Sequence, residues 1–373
     1  MKILIAGDFC PQSRVAKLFD QGRFETVLCE VRPVVEQADY SIVNFECPIT
    51  KGGEKPISKC GPNLKCSEKG LEAVKWAGFE CVTLANNHFL DYGREGVENT
   101  IATCTRYNID TVGGGDTLQN AEKILYKEIK GKRLAIINCC EHEFSIATDV
   151  TAGSNPLNPI KQYYAIKEAK ENADYILLIV HGGHEHYQLP SPRMQETYRF
   201  FIDAGADIVV NHHQHCYSGY ETYKGRPIYY GLGNFCFDKI ESRPNGWTEG
   251  YMVEITITHS GIESKAIPYI QCAEKGYIKM LPKDAFDMKL QELNQIIMSP
   301  HKLLELTEKY YSESTGTLGL SIEPSKYRLF SFLKKHSLWP SSWTKKSILK
   351  LRNYMLCESH RDKMEYYLNH YNN

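Results

Sequence analysis

Short apolar runs alternate with amphipathic segments along residues 1–270. Runs of strand length lie at 2–6, 38–44, 81–85, 174–180 and 207–210. Apolar residues at helical spacing follow several of these runs, for example after Ser67 and after Ser191-Pro192. This alternation of strand and helix patterns predicts a layered α/β domain.

Several turns and loops between these elements can also be predicted from the sequence. The pairs 123–129 with 133–139 and 217–223 with 226–230 each enclose a Lys-Gly turn and predict β-hairpins. Asp91 is the predicted N-cap of a helix that extends to about Tyr107. The polar, irregular segment 141–160 is predicted to be a loop near the functional site.

Beyond Pro282 only helical patterns remain. Phe286, Leu290, Leu293 and Ile297 recur at helical spacing, and further helices are predicted near 300–312, 326–336 and 344–371. We therefore divide the chain into an α/β domain at 1–275 and a helical C-terminal extension at 283–373.

Charge separates the two parts. The whole chain carries −1, but residues 324–373 contain ten Lys or Arg and three Asp or Glu, so this end carries +7 and residues 1–323 carry −8. Lysines at 334, 335, 345 and 346 are interspersed with Trp339 and Trp343. Two interpretations stay open: solvated helices whose aromatic residues pack onto the domain, which we favour, or peripheral contact with an anionic membrane surface.

The N-terminus and the cysteines indicate the compartment. Residues 1–7 form a short apolar strand followed by polar residues, which is not a signal-peptide pattern. No apolar run approaches the roughly 20 residues of a membrane span. The 13 cysteines are an odd number without small-scaffold spacing. We expect the thiols to be reduced and the protein to be cytoplasmic. The protein would be either free in the cytoplasm or peripheral to the inner face of the membrane.

Polar residues follow five of the predicted strands directly. They are Asp8, Glu46, Asn87-His88, His181 and the pair His213 and His215. The carboxyl ends of strands in an α/β sheet lie at one edge, so these side chains are expected to converge. Carboxylate, amide and imidazole ligands suit divalent Mn, Fe, Zn or Co better than an all-sulfur zinc site. Two such ions would need a bridging carboxylate and would activate water to attack a phosphoryl group.

Each of these residues alone has a structural explanation. Asp8 fits a turn, Glu46 fits a solvated loop carboxylate, and Asn86-Asn87 tolerates a left-handed turn. The repetition at five strand ends favours the metal interpretation. Gly113-Gly-Gly-Asp116 lacks the Lys-Ser/Thr of a phosphate-binding loop and fits a tight turn. No segment resembles a nucleic-acid-binding module.

Several motifs together resemble those of the CapA family, the bacterial capsule and poly-γ-glutamate synthesis proteins with a calcineurin-like metallophosphoesterase fold. The motifs are Gly7-Asp8, Asn44-Phe-Glu46, Ala85-Asn-Asn-His88 with Asp91-Tyr-Gly93, His181-Gly-Gly-His184-Glu185, Gly205-Ala-Asp207 with His212-His-Gln-His215, and Gly233-Asn-Phe235. The resemblance covers about residues 1–272. It implies a four-layer αββα sandwich with a centre for two metal ions at one sheet edge.

The resemblance also implies residue roles. Asp8 and His215 would bind the first metal, Glu46 would bridge, and Asn87, His181 and His213 would bind the second. His88 would be the general acid or a phosphate-contacting imidazole. His184, Glu185, His186, Arg193 and Asn234 are predicted to contact substrate, and a structural role stays open as the alternative for His184, Glu185, His186 and Arg193. One departure is Asp8-Phe9-Cys10, where the wider superfamily has Asp-x-His, so one ligand of the first metal is missing or replaced.

The resemblance predicts an enzyme, a metal-dependent hydrolase of a phosphate ester or polyanionic precursor in surface-polymer biosynthesis. Metal-activated water would attack, with His88 as the acid. Two alternatives stay open. One is a non-catalytic capsule or poly-γ-glutamate synthesis or export factor that binds polymer. The other is an amide hydrolase of polyglutamate that uses the same metals.

Overall fold

The structure is a computed structural model and describes residues 1–240, 244, 246–314 and 345–370. The elements up to residue 140 are β1 (Lys2–Phe9), α1 (Ser13–Asp20), α2 (Phe24–Leu28), α3 (Arg32–Val35), β2 (Tyr40–Phe45), α4 (Glu68–Ala77), β3 (Cys81–Thr83), α5 (Gly93–Arg106), β4 (Asp110–Val112), β5 (Gly114–Gly115), α6 (Leu118–Ala121), β6 (Leu125–Ile129) and β7 (Lys132–Cys140). The next are β8 (Gly153–Ser154), α7 (Pro159–Asn172), β9 (Tyr175–His181), α8 (Pro192–Ala204), β10 (Ile208–His212), β11 (Tyr220–Tyr223), β12 (Arg226–Tyr229), β13 (Asn234–Cys236), β14 (Glu249–Thr258), β15 (Gly261–Gln271) and β16 (Ile278–Met280). The C-terminal helices are α9 (Lys283–Ile297), α10 (Pro300–Ser314), α11 (Lys345–Leu356) and α12 (Glu358–Asn369).

The strands form two large sheets and one short pair. The first sheet has the order β16-β15-β14-β1-β2-β3-β4, and β13 pairs in parallel with β1. The second has the order β11-β12-β10-β9-β7-β6, and β5 pairs with β8. The strands β1 to β4 are parallel to one another, as are β7, β9, β10 and β12. Within each sheet the carboxyl ends of these strands therefore lie at one edge.

Apolar residues on both faces of the sheets define the layers. In β1, Ile3 and Ile5 join the cluster between the sheets, while Leu4 and Ala6 pack with α1, α4 and α5. This alternation is the period-two pattern of a strand buried on both faces. The outer face of the second sheet packs against α7 and α8. The fold is the expected four-layer αββα sandwich.

The C-terminal helices pack onto this sandwich. Phe286 of α9 belongs to the cluster between the sheets, and Leu303 of α10 belongs to the cluster on the second sheet. The predicted helix at 344–371 is divided into α11 and α12 at Cys357. The predicted helix at 326–336 and the lysines and tryptophans at 334–343 lie outside the described residues. The division at 275–283 and the membrane contact stay predictions.

The two hairpins predicted from Lys-Gly turns are present as β6–β7 and β11–β12.

Within the described ranges, each helix is too short or too polar to span a membrane.

Candidate metal centre

The structure brings the six predicted metal ligands together at one edge of the sandwich. Asp8 lies near the end of β1, Glu46 follows β2, Asn87 follows β3, His181 ends β9, and His213 and His215 follow β10. All six side chains are buried. The first sheet supplies the carboxylates and the amide, and the second sheet supplies the imidazoles.

One half of this cluster contains an amide and two imidazoles. His181 Nε2 lies 3.1 Å from Asn87 Oδ1 and 3.1 Å from His213 Nδ1. Burial first, and then the neighbouring His213, lowers the pKa of His181 well below its usual value. The His181 ring is therefore neutral, which is the form that binds a metal ion.

The other half contains Asp8 and His215. His215 Nδ1 lies 3.7 Å from Asp8 Oδ2 and 2.9 Å from Asn234 Oδ1. The amide oxygen of Asn234 can only accept, so His215 donates from Nδ1, and Nε2 is the ring nitrogen without the proton. Asn44 Nδ2 donates to the other oxygen of Asp8 at 2.7 Å, which leaves Asp8 Oδ2 facing the cluster.

Glu46 lies between the two halves. Its Oε1 is 3.9 Å from His181 Nε2 and 3.7 Å from His215 Nε2. This oxygen is buried, and no donor among the described residues forms a hydrogen bond with it. Burial, and then the neighbouring Asp8 carboxylate, raises the pKa of Glu46 well above its usual value.

The donor set fits divalent cations. In the part of the chain that the structure describes, no Lys or Arg forms an ion pair with Asp8 or Glu46. Two buried carboxylates need a counter-charge. One ligand atom each of Asp8, Glu46 and His181 lie within 4.8 Å of one another.

The backbone after β10 adopts an unusual conformation. His213 and His215 have φ values of 96° and 56°, in the left-handed region that favours glycine. Such strain persists where the surrounding structure fixes it, and it concentrates at functional sites. Here the His213 N–H donates to Asp8 Oδ2 at 3.3 Å, and His212 Nε2 donates to the Ala6 carbonyl at 3.1 Å.

His88 lies beside the cluster and is held from behind by Asp91. His88 Nδ1 is 2.6 Å from Asp91 Oδ2, and Lys59 forms an ion pair with the other oxygen of Asp91. The Leu64 N–H also donates to Asp91 Oδ2 at 2.6 Å. The prediction that Asp91 is an N-cap was wrong: Tyr92 occupies the N-cap position of α5, because the Asp91 carboxylate is engaged by these partners. Burial lowers the pKa of His88, and Asp91 opposes this shift.

The sequence model of the family described as "Bacterial capsule synthesis protein PGA_cap" matches residues 2–239. The chain belongs to this family. "Capsule biosynthesis protein CapA" of Bacillus anthracis is 34% identical over 256 residues, which cover 66% of this chain and 61% of that protein. "PGA biosynthesis protein CapA" of Bacillus subtilis (strain 168) is 33% identical over 250 residues, which cover 65% and 63%. The match thus spans less than two thirds of either relative.

A structural comparison finds "calcineurin-like phosphoesterase YfkN from Bacillus subtilis", with 13% identity and a TM-score of 0.38, covering 84% of this chain and 97% of that chain. At this TM-score the two chains superpose only loosely.

A cavity of about 540 Å³ opens beside the cluster in this PGA_cap domain. His88, His215, Glu185 and His186 line it, together with Trp247. Glu185 and His186 are exposed at the cavity, as expected for residues that meet substrate. Their predicted role in substrate contact stays a prediction.

The other residues predicted to contact substrate have partners within the protein. Asn234 is fully buried and holds His215. His184 Nε2 lies 2.8 Å from the Tyr311 hydroxyl of α10. Arg193 donates to Asp362 of α12 at 2.9 Å and to Glu141 at 2.7 Å. The structure therefore does not bring His184 and Arg193 to the cavity lining, and their roles in substrate contact stay predictions.

Sequence analysis missed three residues that support the centre. Asn44 precedes Glu46 by two positions, and residues two apart in a strand point to the same face. The position of Asn44 on β2 therefore indicated that it lies beside Glu46. Asp91 lies in the quoted Asp-Tyr-Gly motif but was interpreted as a cap. Glu143 accepts from Asn87 Nδ2 at 2.9 Å, and its only signal was its place in the irregular segment 141–160.

Proposed function

We propose that this chain is a metal-dependent hydrolase of a phosphate ester or related polyanionic substrate in capsule or other surface-polymer synthesis. The observation that carries the proposal is the buried Glu46 Oε1, which lies between His181 and His215 without a hydrogen-bond donor among the described residues. A carboxylate oxygen between two sets of imidazole ligands fits the bridging position of a two-ion site. The link to capsule or surface-polymer synthesis rests on the similarity to the two CapA proteins of Bacillus.

The residues divide into two sets that share Glu46. Asp8, Glu46 and His215 would hold one ion, and Glu46, Asn87, His181 and His213 would hold the other. Divalent Mn, Fe, Zn or Co bound there would supply activated water and neutralise charge on a transferred phosphoryl group. With Phe9-Cys10 in place of a ligand histidine, the first set is the smaller, and we expect it to bind its ion more weakly.

His88 transfers the proton in this proposal. Asp91 holds the Nδ1 side of the ring, so Nε2 is the nitrogen available to the cavity and to a leaving-group oxygen. A positioned acid of this kind contributes about 10²- to 10⁴-fold to a rate. Glu185 and His186 line the same cavity and would meet the rest of the substrate.

The test is metal analysis of the full chain purified without chelator, with turnover assayed on the same samples. Wild type is compared with Glu46→Gln and with Glu25→Gln, a matched change on the exposed side of α2. We expect wild type and Glu25→Gln to hold about two ions and to hydrolyse a phosphomonoester or phosphodiester. Glu46→Gln should lose both metal and turnover.

The substrates separate the alternatives. If wild type and Glu46→Gln held equally little metal, the proposal would fail. Metal with turnover only on a γ-glutamyl amide would identify an amide hydrolase. Metal without turnover on any of these substrates would instead favour a polymer-binding factor.

A further inference from the structure

Glu143 is a buried carboxylate that contacts two of the predicted ligands of one ion. Its Oε2 accepts from Asn87 Nδ2 at 2.9 Å and lies 3.9 Å from His213 Nε2. The first contact fixes the Asn87 amide with Oδ1 towards His181. The second favours a proton on His213 Nε2, which leaves His213 Nδ1 for the ion. A carboxylate behind a ligand in this way sets the orientation of the ligand and its basicity.

The other oxygen of Glu143 is held by the C-terminal extension. Asn353 Nδ2 of α11 donates to Glu143 Oε1 at 3.0 Å, and His360 Nε2 of α12 lies 3.5 Å from the same oxygen. The side chains of Glu143 and Asn353 are both buried. Both helices lie beyond residue 239, where the PGA_cap match ends.

Contacts of charged side chains hold α12 close to Glu143. Glu141 Oε2 accepts from the Ser359 hydroxyl at 2.6 Å and from the Ser359 N–H at 3.2 Å. Arg193 joins Glu141 to Asp362 of α12. Hydrogen bonds that involve charged groups are stronger than neutral ones. These contacts therefore hold α12 firmly beside Glu143.

We propose that the C-terminal extension is part of the metal centre, with Asn353 and His360 as positioning residues that act through Glu143 on Asn87 and His213. The inference rests on the proposed function, because it assigns a second role to residues around the same ions. According to this inference, residues 2–239 alone would not bind the ion at Asn87, His181 and His213 with full affinity.

The test is titration of the chelator-stripped full chain with Mn²⁺ alone. Calorimetry gives the affinity for each ion, and electron paramagnetic resonance distinguishes a coupled pair of ions from a single one. We expect Asn353→Ala together with His360→Ala to weaken one of the two sites about 10- to 100-fold and to leave the other unchanged. The coupled signal should appear only at correspondingly higher Mn²⁺.

The matched control is Asn369→Ala, an Asn-to-Ala change at the exposed end of α12. It should bind both ions as wild type does. Circular dichroism of each metal-free protein tests whether it is folded. If the double variant does not fold, the single change His360→Gln is used, because it leaves the Asn353 contact in place.

The outcomes are distinct. Two ions bound with wild-type affinities by a folded variant would overturn the inference and leave the proposed function intact. Equal weakening of both sites would also overturn it, because general damage would then be the cause. Absence of Mn²⁺ binding by wild type would instead remove the proposed function.

Discussion

At the scale of single residues, Asp91 joins the centre to a buried cation. Its carboxylate contacts both His88 and Lys59, and the side chains of Asp91 and Lys59 are almost fully buried. The carboxylate keeps the His88 ring oriented and stabilises the ring when it carries a second proton. It also supplies the counter-charge of Lys59, and removal of one partner from a buried pair costs about 3–5 kcal/mol.

Asp91→Asn is therefore expected to lower kcat about 10²- to 10⁴-fold, because the acid loses its orienting charge. Metal content should stay at the wild-type level, because Asp91 lies outside the ligand set. Turnover of a phosphoester and metal analysis of the same sample check both points. Asp149→Asn, a matched change at an exposed position, should alter neither. A variant with wild-type kcat would contradict the role given to His88 and Asp91.

Residues at strand ends could be predicted from the sequence because sheet geometry brings them together whatever the loops do. Asp8, His181 and His213 are examples. The role of Asp91 could not be predicted in this way, since its partner Lys59 lies 32 positions away in a loop without regular structure. The role of Glu143 was even harder to predict, because its partners Asn353 and His360 lie more than 200 positions away in sequence.

At the scale of elements, the position of Asp8 depends on a close approach between β1 and β13. The Asp8 N–H donates to the Gly233 carbonyl at 3.2 Å. A Cβ placed on Gly7 would lie 1.9 Å from the same carbonyl oxygen, so only glycine fits there without displacing β13.

Gly7→Ala is expected to destabilise the fold by about 1–3 kcal/mol and to weaken metal binding, because β13 must move and Asn234 moves with it. Urea unfolding and Mn²⁺ titration measure the two effects. At Gly276 the nearest atom to a new Cβ is 3.3 Å away, on the Arg14 side chain, so Gly276→Ala is the milder control. Equal effects of the two substitutions would show that the approach of β1 to Gly233 is unimportant.

Elements with local signals were predicted correctly. Both Lys-Gly hairpin turns have positive φ at the two residues, 50° and 74° at Lys130 and Gly131, which suits the twist of a two-residue hairpin. The strand β13 was missed because it has three residues and depends on pairing with β1. The break at Cys357 was also missed. It turns α12 so that Glu358 and Ser359 meet His142 and Glu141, and neither contact has a local signal.

At the scale of the whole molecule, the last helices hold the centre through contacts more than 200 positions apart in sequence. Glu358 illustrates this: its carboxylate accepts from the His142 N–H at 2.8 Å and contacts His142 Nδ1 at 2.6 Å. The hydrogen bond to Glu358 raises the pKa of His142 above its usual value, against the opposing effect of burial. Glu141 adds to the rise, and Arg361 opposes it.

This contact gives the attachment of α12 a pH dependence of definite sign. A histidine whose pKa is raised by folding stabilises the folded state fully below its unfolded pKa of about 6.5 and loses that contribution as pH rises through the folded value. Glu358→Gln removes the charge that raises the pKa. The difference in unfolding free energy between wild type and Glu358→Gln should therefore be largest below about pH 6.5 and should shrink as pH rises above it.

Urea unfolding of the metal-free proteins from about pH 5.5 to about pH 8.5 measures this difference across the histidine range. Glu365→Gln, a matched change on the exposed side of α12, should differ from wild type by a constant amount over the same range. A pH-independent difference for Glu358→Gln would mean that His142 stays neutral against Glu358. The contact would then be a hydrogen bond from a neutral imidazole to the Glu358 carboxylate, and the ion pairs that hold α12 would be those of Arg193 with Glu141 and Asp362.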